Sequence, residues 1–292
     1  MVLVTGANGF IGKFVIDTLS ENDGIIALDK DVSNTDDSRK VTFICCDILD
    51  YLELEKIFKQ YKIRKILHLA SLLNAKSNQN PGLATKINIL GSLNLLELSV
   101  KYKIEKFIYG SSISIYGPVD SDENNPIHES IKTEPSHVYG STKKYTEFLG
   151  NTYSKIYDID FIAIRISTVI GPGAKNTSSP WRSEIYNAGP ENIVHIPYNR
   201  NELLPLIFVK NVATMARDIL LSKNIPHKIY NTPSETWRIS DLENLLRKKN
   251  PCLKFNYGNN IVNDIPRYID GNLFLKDFLF KPISIEESLD LK

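Results

Sequence analysis

The chain has 292 residues, enough for one large domain or two modest ones, and its 35 basic and 34 acidic residues leave a net charge of +1. So balanced a composition, with no basic run, carries no electrostatic footprint for nucleic acid or an anionic membrane. Three cysteines, the adjacent Cys45 and Cys46 and the distant Cys252, make neither a disulfide framework nor a metal-ligand spacing, which fits a reducing compartment.

The opening MVLVTGANGF starts a strand at once, with no basic segment and no long apolar stretch, so no signal peptide and a cytoplasmic location are expected. Nowhere do eighteen apolar residues run uninterrupted, as a spanning helix would need. Strands are predicted over 1–5, 25–29, 41–46, 65–70, 106–111 and 161–166. Helical periodicity lies between them, over 10–20, 51–60, 82–101 and 138–157. That alternation predicts βαβ units and a parallel, doubly wound α/β sheet. Gly and Pro thicken over 171–205, where a smaller lobe is expected to begin. Weaker helical signals follow near 210–222 and 239–249 and in SIEESL at the tail. The division expected is a nucleotide-binding domain over 1–170, with 206–232 returning to it, and a substrate lobe over most of 171–292.

The first turn, TGANGFIG, sets Gly6, Gly9 and Gly12 between a strand and a helix. Glycines there permit a tight turn, the approach of backbone to a pyrophosphate, and close packing of helix on strand. Asp29 ends the second strand, where a carboxylate can bind two ribose hydroxyls and repel an extra phosphate. The pattern therefore predicts a Rossmann site for NAD rather than NADP, with Asn8, Phe10 and Ile11 completing the turn. Asp47, followed by Ile48, closes the third strand and suits either an adenine amino group or a helix N-cap. The fourth strand ends HLAS, and Leu69, Ala70 and Ser71 would let a cofactor lie against its tip. His68 reads as a packed core histidine, and five scattered histidines argue against a metal site.

SHVYGSTKKYTEF sets Tyr139 four residues before Lys143, one face of a helix. Tyr61/Lys65 and Tyr102/Lys106 share the spacing, but each straddles the break between a helix end and the next strand. Only Tyr139/Lys143 lies within one predicted helix. The fifth strand ends in GSSISIYG, so Ser111 and Ser112 fall at a strand carboxyl end, where a doubly wound sheet binds its ligand.

Together TGANGFIG, HLAS, INILGSLNLLE, SSISIYG, YGSTK and RISTVIGPG resemble the extended short-chain dehydrogenase/reductase family, in its NAD-dependent epimerase/dehydratase branch. The resemblance implies that Tyr139 is the general acid/base and that Ser112 polarises the same substrate oxygen. It implies that Lys143 holds the nicotinamide ribose and, with the positive nicotinamide ring, lowers the tyrosine pKa toward neutrality, and that Asn88 fixes the lysine region within the cofactor site. It also implies a homodimer built on the helices over 82–101 and 138–157. For the substrate it points to a nucleotide-activated sugar, with departures: Thr168 stands at a substrate-binding asparagine, and Leu204 at a diphosphate arginine. Arg267 matches a second phosphate-binding arginine and Arg200 lies near the missing one, while NTSSPW (176–181) offers hydroxyls and an aromatic face for a base. Ile113 and Ser114 follow Ser112 where 4,6-dehydratases of the family carry Asp-Glu, so dehydration is not expected. HLASLLNAKSNQNP and LPLIFV also resemble the L-threonine 3-dehydrogenase branch, although its RYPG reads RIST here. A dehydrogenase of a small hydroxy acid or amino alcohol therefore stays open, as does a non-catalytic NAD-sensing module.

Overall fold

The computed structural model describes residues 1–19, 24–31, 40–173, 179–187, 189 and 193–291. The first half runs β1 (Val2–Thr5), α1 (Phe10–Leu19), β2 (Ile25–Asp29), β3 (Val41–Cys45), α2 (Tyr51–Gln60) and β4 (Lys65–His68). Next come the short α3 (Asn74–Gln79) and α4 (Pro81–Ala84), then a π-helical turn (Thr85–Leu90) that leads into α5 (Gly91–Lys101). β5 (Lys106–Ser112), α6 (Val138–Tyr157) and β6 (Asp160–Ile166) close this half.

The second half holds β7 (Thr168–Ile170), α7 (Trp181–Asn187), β8 (Ile193–Tyr198), β9 (Leu203–Phe208) and α8 (Val209–Leu221). After them come β10 (Ile229–Asn231), β11 (Glu235–Arg238), α9 (Ile239–Lys249), β12 (Lys254–Asn260), α10 (Asn272–Phe278) and α11 (Ile285–Ser288). The sequence reading places no strand between 171 and 205, where β8 and the first half of β9 lie, because turn-rich segments carry no clear period.

The main sheet has seven strands in the order β10-β6-β5-β4-β1-β2-β3, every pairing parallel. Strand order reverses between β1 and β4, and at such a switch point a crevice opens outside the strand carboxyl ends. A parallel sheet is buried on both faces, so its strands read as near-continuous apolar runs. β1 is buried throughout, and so is β5 despite its lysine and serines. On one face α1 and α8 pack with the second lobe into one apolar cluster; on the other, α2, α5 and α6 cover a second. Two small sheets, β11-β9-β7 and β12-β8, build the lobe above the crevice, while β10 returns to pair with β6.

α6 carries the tyrosine and lysine. His137 caps its start, Nδ1 accepting the Gly140 N–H at 3.1 Å, and Asp158 ends it in the left-handed region at φ 57°. Gly140 lets it sit tight, since a Cβ there would lie 2.3 Å from the Ser114 carbonyl oxygen. Beneath it Arg165 on β6 donates from Nε and Nη2 to both carboxylate oxygens of Glu147, at 3.2 and 2.8 Å. Ser111 donates to the same carboxylate, which ties the helix one turn after Lys143 to the tip of β5.

Candidate active site

One cavity of about 870 Å³ opens at the switch point. Gly6 sits there at φ +69°, so close to β4 that a Cβ would lie 2.7 Å from the Ala70 nitrogen; one on Gly12 would lie 2.3 Å from the Gly6 oxygen. Gly9 is exposed toward the cavity, and a Cβ there would meet only the Gly6 carbonyl. The turn is thus compressed behind and open in front, a shape that fits backbone N–H groups approaching a pyrophosphate. Phe10 and Ile11 line the cavity beside it, as do Asp47, Ile48, Leu69, Ala70 and Ser71.

Asp29 also lines the cavity, its carboxylate accepting the Asn8 N–H at 2.9 Å and the Asp31 N–H at 3.4 Å. Asn8 does not line it: its side chain donates to the carbonyl of Asp31, two residues past the end of β2, at 2.8 Å. The N-cap of α2 is Asp50 rather than Asp47, whose Oδ1 accepts the Leu49 N–H at 2.9 Å. These residues fit NAD. Backbone donors meet a cradle without side chains, and a carboxylate stands at the second strand.

Asn88 differs from its expected place. It is buried outside the cavity, its Oδ1 accepting the Leu72 N–H at 2.7 Å and the Ser71 hydroxyl at 3.2 Å. Its Nδ2 donates to the Leu72 carbonyl and to Thr142 Oγ1, beside Lys143. With every polar atom used, Asn88 is a strut between the loop after β4 and α6 rather than a cofactor contact. The π-helical turn frees its carbonyl to accept from Ser92 at 2.6 Å and Thr146 at 3.1 Å.

Ser112, Tyr139, Lys143 and Thr168 meet in the same cavity. The Tyr139 phenol is pushed up to about 12 by burial, against the Ser112 hydroxyl, the positive charge of Arg182 and the Ser71 hydroxyl. Lys143 is pulled down to about 7 by burial, opposed by Glu147. Its Nζ donates to the Gly110 carbonyl at 2.6 Å and lies 5.5 Å from the Tyr139 ring centroid. The chain's own residues do not by themselves lower the phenol toward neutrality; the lowering expected from the resemblance also draws on the positive ring of the bound nicotinamide. The ammonium is held on a strand carbonyl and is itself costly to keep charged.

His68 lies under the site with both nitrogens bonded, Nδ1 to Thr5 Oγ1 at 2.7 Å and Nε2 to Ser92 Oγ at 2.8 Å. Because the Ser92 hydroxyl donates to the Asn88 carbonyl, Nε2 carries the hydrogen and Nδ1 accepts from Thr5. Burial, with the charge of Lys143 adding to it, pulls the imidazole down to about 3, so it is a neutral core group. Among the described residues no cluster of three metal-ligating side chains forms, and no helix is long and apolar enough to cross a membrane.

The residues expected to hold a diphosphate are elsewhere. Arg200 donates from Nη2 to Glu243 at 2.7 Å and stacks over Tyr257, outside the cavity lining. Arg267 is exposed and also outside the lining, although Asp264 and Ile265 just before it are part of it. Trp181 is wholly buried, so it presents no face to a base; packing in the core took it. Leu204 is buried as well, while 176–178 of the hydroxyl-rich stretch lie outside the described residues. Sequence reasoning missed Arg182, which lines the cavity from the first turn of α7. It belongs to no motif, and the Pro180 ahead of it marks only a helix start.

A doubly wound sheet with a glycine cradle at its switch point, and Ser, Tyr and Lys on the adjoining wall, defines an extended short-chain dehydrogenase/reductase with a NAD site. The chain belongs to the NAD dependent epimerase/dehydratase family, whose model matches residues 2–232. It is 33% identical over 199 residues to a UDP-glucuronate 4-epimerase of Thermodesulfobacterium geofontis, covering 62% of this chain and 59% of the relative. The chain spans about six-tenths of the length of the curated relatives it matches. A monomeric L-threonine 3-dehydrogenase from a metagenome superposes with TM-score 0.86 at 28% identity, covering 99% of this chain and 96% of that one. A UDP-glucose 4-epimerase from Thermotoga maritima, in a structure with UDP-glucose, superposes with TM-score 0.84 at 25% identity, covering 99% and 95%.

Proposed function

We propose that the chain is a NAD-dependent oxidoreductase or epimerase that takes hydride from a secondary carbinol. The observation that carries this reading is the meeting of Ser112, Tyr139 and Lys143 in the cavity that the glycine cradle lines. NAD, when bound, supplies the hydride-accepting ring. Tyr139 takes the carbinol proton at its phenolic oxygen, or returns one, within reach of the Ser112 hydroxyl. Ser112 donates to the developing carbonyl oxygen. Lys143, fixed by the Gly110 carbonyl and stiffened through Glu147 and Arg165, would hold the ribose side. Replacing Tyr139 by Phe keeps the ring and should lower turnover by about 10²-fold or more. Near-normal turnover would remove the mechanism.

For the substrate, the relatives support a nucleotide-activated sugar, since UDP-sugars stand in their names. A second reading, a small hydroxy or amino acid, is favoured by Arg200 and Arg267 lying outside the cavity lining. A diphosphate would need cationic or backbone donors to replace its water shell. A melting panel of UDP, dTDP, GDP and L-threonine, with NAD present, separates the two. A ligand at about 100 times its Kd adds roughly 2.7 kcal/mol of apparent stability. We further propose a homodimer through α6, whose Tyr145, Phe148 and Ile156 form an exposed apolar stripe, with Leu90 exposed on the adjoining helix. Light scattering at micromolar concentration tests it.

A further inference from the structure

Among the described residues Arg182 is the one arginine that lines the cavity. Its Nε is buried without a hydrogen-bond partner, and no described carboxylate pairs with its guanidinium. A buried guanidinium donor left unsatisfied is costly, so it marks a place where an acceptor belongs. Other arginines of the lobe are spent within the fold: Arg200 on Glu243, and Arg247 on Glu243 and the Leu253 carbonyl. Arg182 and the Tyr139 phenol line the same cavity, and the positive charge of the one acts on the other. The hydroxyl-bearing Thr168 and Ser179 line the same cavity.

We propose that Arg182 is a specificity-determining residue that binds a carboxylate carried by the substrate close to the carbinol under attack. The inference rests on Tyr139 facing that carbinol, as proposed above. A planar guanidinium matches a carboxylate with two parallel hydrogen bonds, and it does so best where water is excluded. A diphosphate fits this place less well. In a nucleotide sugar it hangs from the anomeric carbon, across the ring from a carbinol at C4. A carboxylate stands one carbon away from the reacting carbon both in a nucleotide-linked uronic acid that reacts at C4 and in a small 3-hydroxy acid. The chemistry that Arg182 reads is common to both.

The test uses the full chain loaded with NAD and two ligand pairs that differ at the carboxylate: UDP-glucuronate against UDP-glucose, and L-threonine against L-threoninamide. Calorimetry measures binding, and chromatography of products measures turnover. In one pair the carboxylate member should bind more tightly by about tenfold or more, the worth of a charged hydrogen bond. The pair that responds identifies the source of the carboxylate. Arg182→Gln should bring that ratio toward one, and Arg182→Lys, which keeps charge but loses the fork, should keep part of it. The lysine variant carries the comparison if the glutamine variant does not fold. An unchanged ratio in the folded variants overturns the proposal, as does equal binding within both pairs or binding of none of the four. Tyr139→Phe separates the two ideas. Full turnover in that variant refutes the catalytic reading; lost turnover beside an unchanged Arg182→Gln ratio refutes only the role of Arg182.

Discussion

The two ends of strand β5 carry the same four-residue spacing of tyrosine and lysine and put it to opposite uses. At the amino end Tyr102 donates to Glu55 at 3.3 Å, while Lys106 turns away and donates to the Ile219 and Ser222 carbonyls. Lys65, at the start of β4, reaches the Leu220 carbonyl in the same way at 2.6 Å. Both lysines satisfy carbonyls that the last turn of α8 leaves without helical partners. At the carboxyl end Tyr139 and Lys143 share one continuous helix, and both line a cavity. The motif is a matter of place. Four residues of helix make a pair of neighbours; four residues across a helix-to-strand break make two strangers.

The largest effect that could break this contrast is on catalysis. Tyr139→Phe should cost about 10²-fold or more in turnover, whereas Tyr102→Phe should leave it unchanged per folded molecule. Equal losses would mean that the two ends do not differ in the way described. The lysines sharpen it further. Lys106→Met should lower stability by about 1–3 kcal/mol, as charged hydrogen bonds to α8 are lost, with turnover intact; denaturant melts and initial rates together read this. Lys143→Met should instead weaken NAD binding, measurable by titration without substrate.

A smaller effect concerns the cofactor. Asp29 should favour NAD over NADP by about tenfold or more, a like-charge contact costing at least one such step of about 1.4 kcal/mol. Lys30 lines the same cavity and is the rival that could cancel it. Titration of Asp29→Ser with both cofactors decides between them. The smallest expected change is none at all. The His68 ring resonances should stay flat as pH falls from 7 to about 4, because burial holds the imidazole neutral down to about 3. The sign follows. Between about 6.5 and 3 the unfolded chain binds the proton and the folded one does not, so stability contributed by the neutral ring is lost as pH falls through that window. A ring titrating near 6.5 would refute the neutral, doubly bonded histidine.

What the sequence made legible follows from the range of the interactions involved. The glycine turn, Asp29 and the helix bearing Tyr139 are set by backbone geometry and hydrophobic period within a few residues, and those can be read in a string. Arg200 and Trp181 could not be placed that way. The first is held by Glu243 and the second by core packing, partners fixed only once the lobe has folded. Asn88 was legible as a residue of the lysine region but not in its place outside the cavity, because its four hydrogen bonds reach 16, 17 and 54 residues along the chain. Arg182 offered no signal at all. A buried guanidinium nitrogen without a partner becomes visible only once the chain has folded around it.

The lysine hooks on α8 have a kinetic side. They join Lys65 to Leu220 and Lys106 to Ile219, spans of 155 and 113 residues. Contacts so distant in sequence form late, since loop closure must be met before they repay it. The strands that bear the glycine cradle can pair through far shorter loops, so they assemble ahead of α8, the helix that packs beside α1. During refolding α8 should therefore dock only after the strands of the cradle have paired.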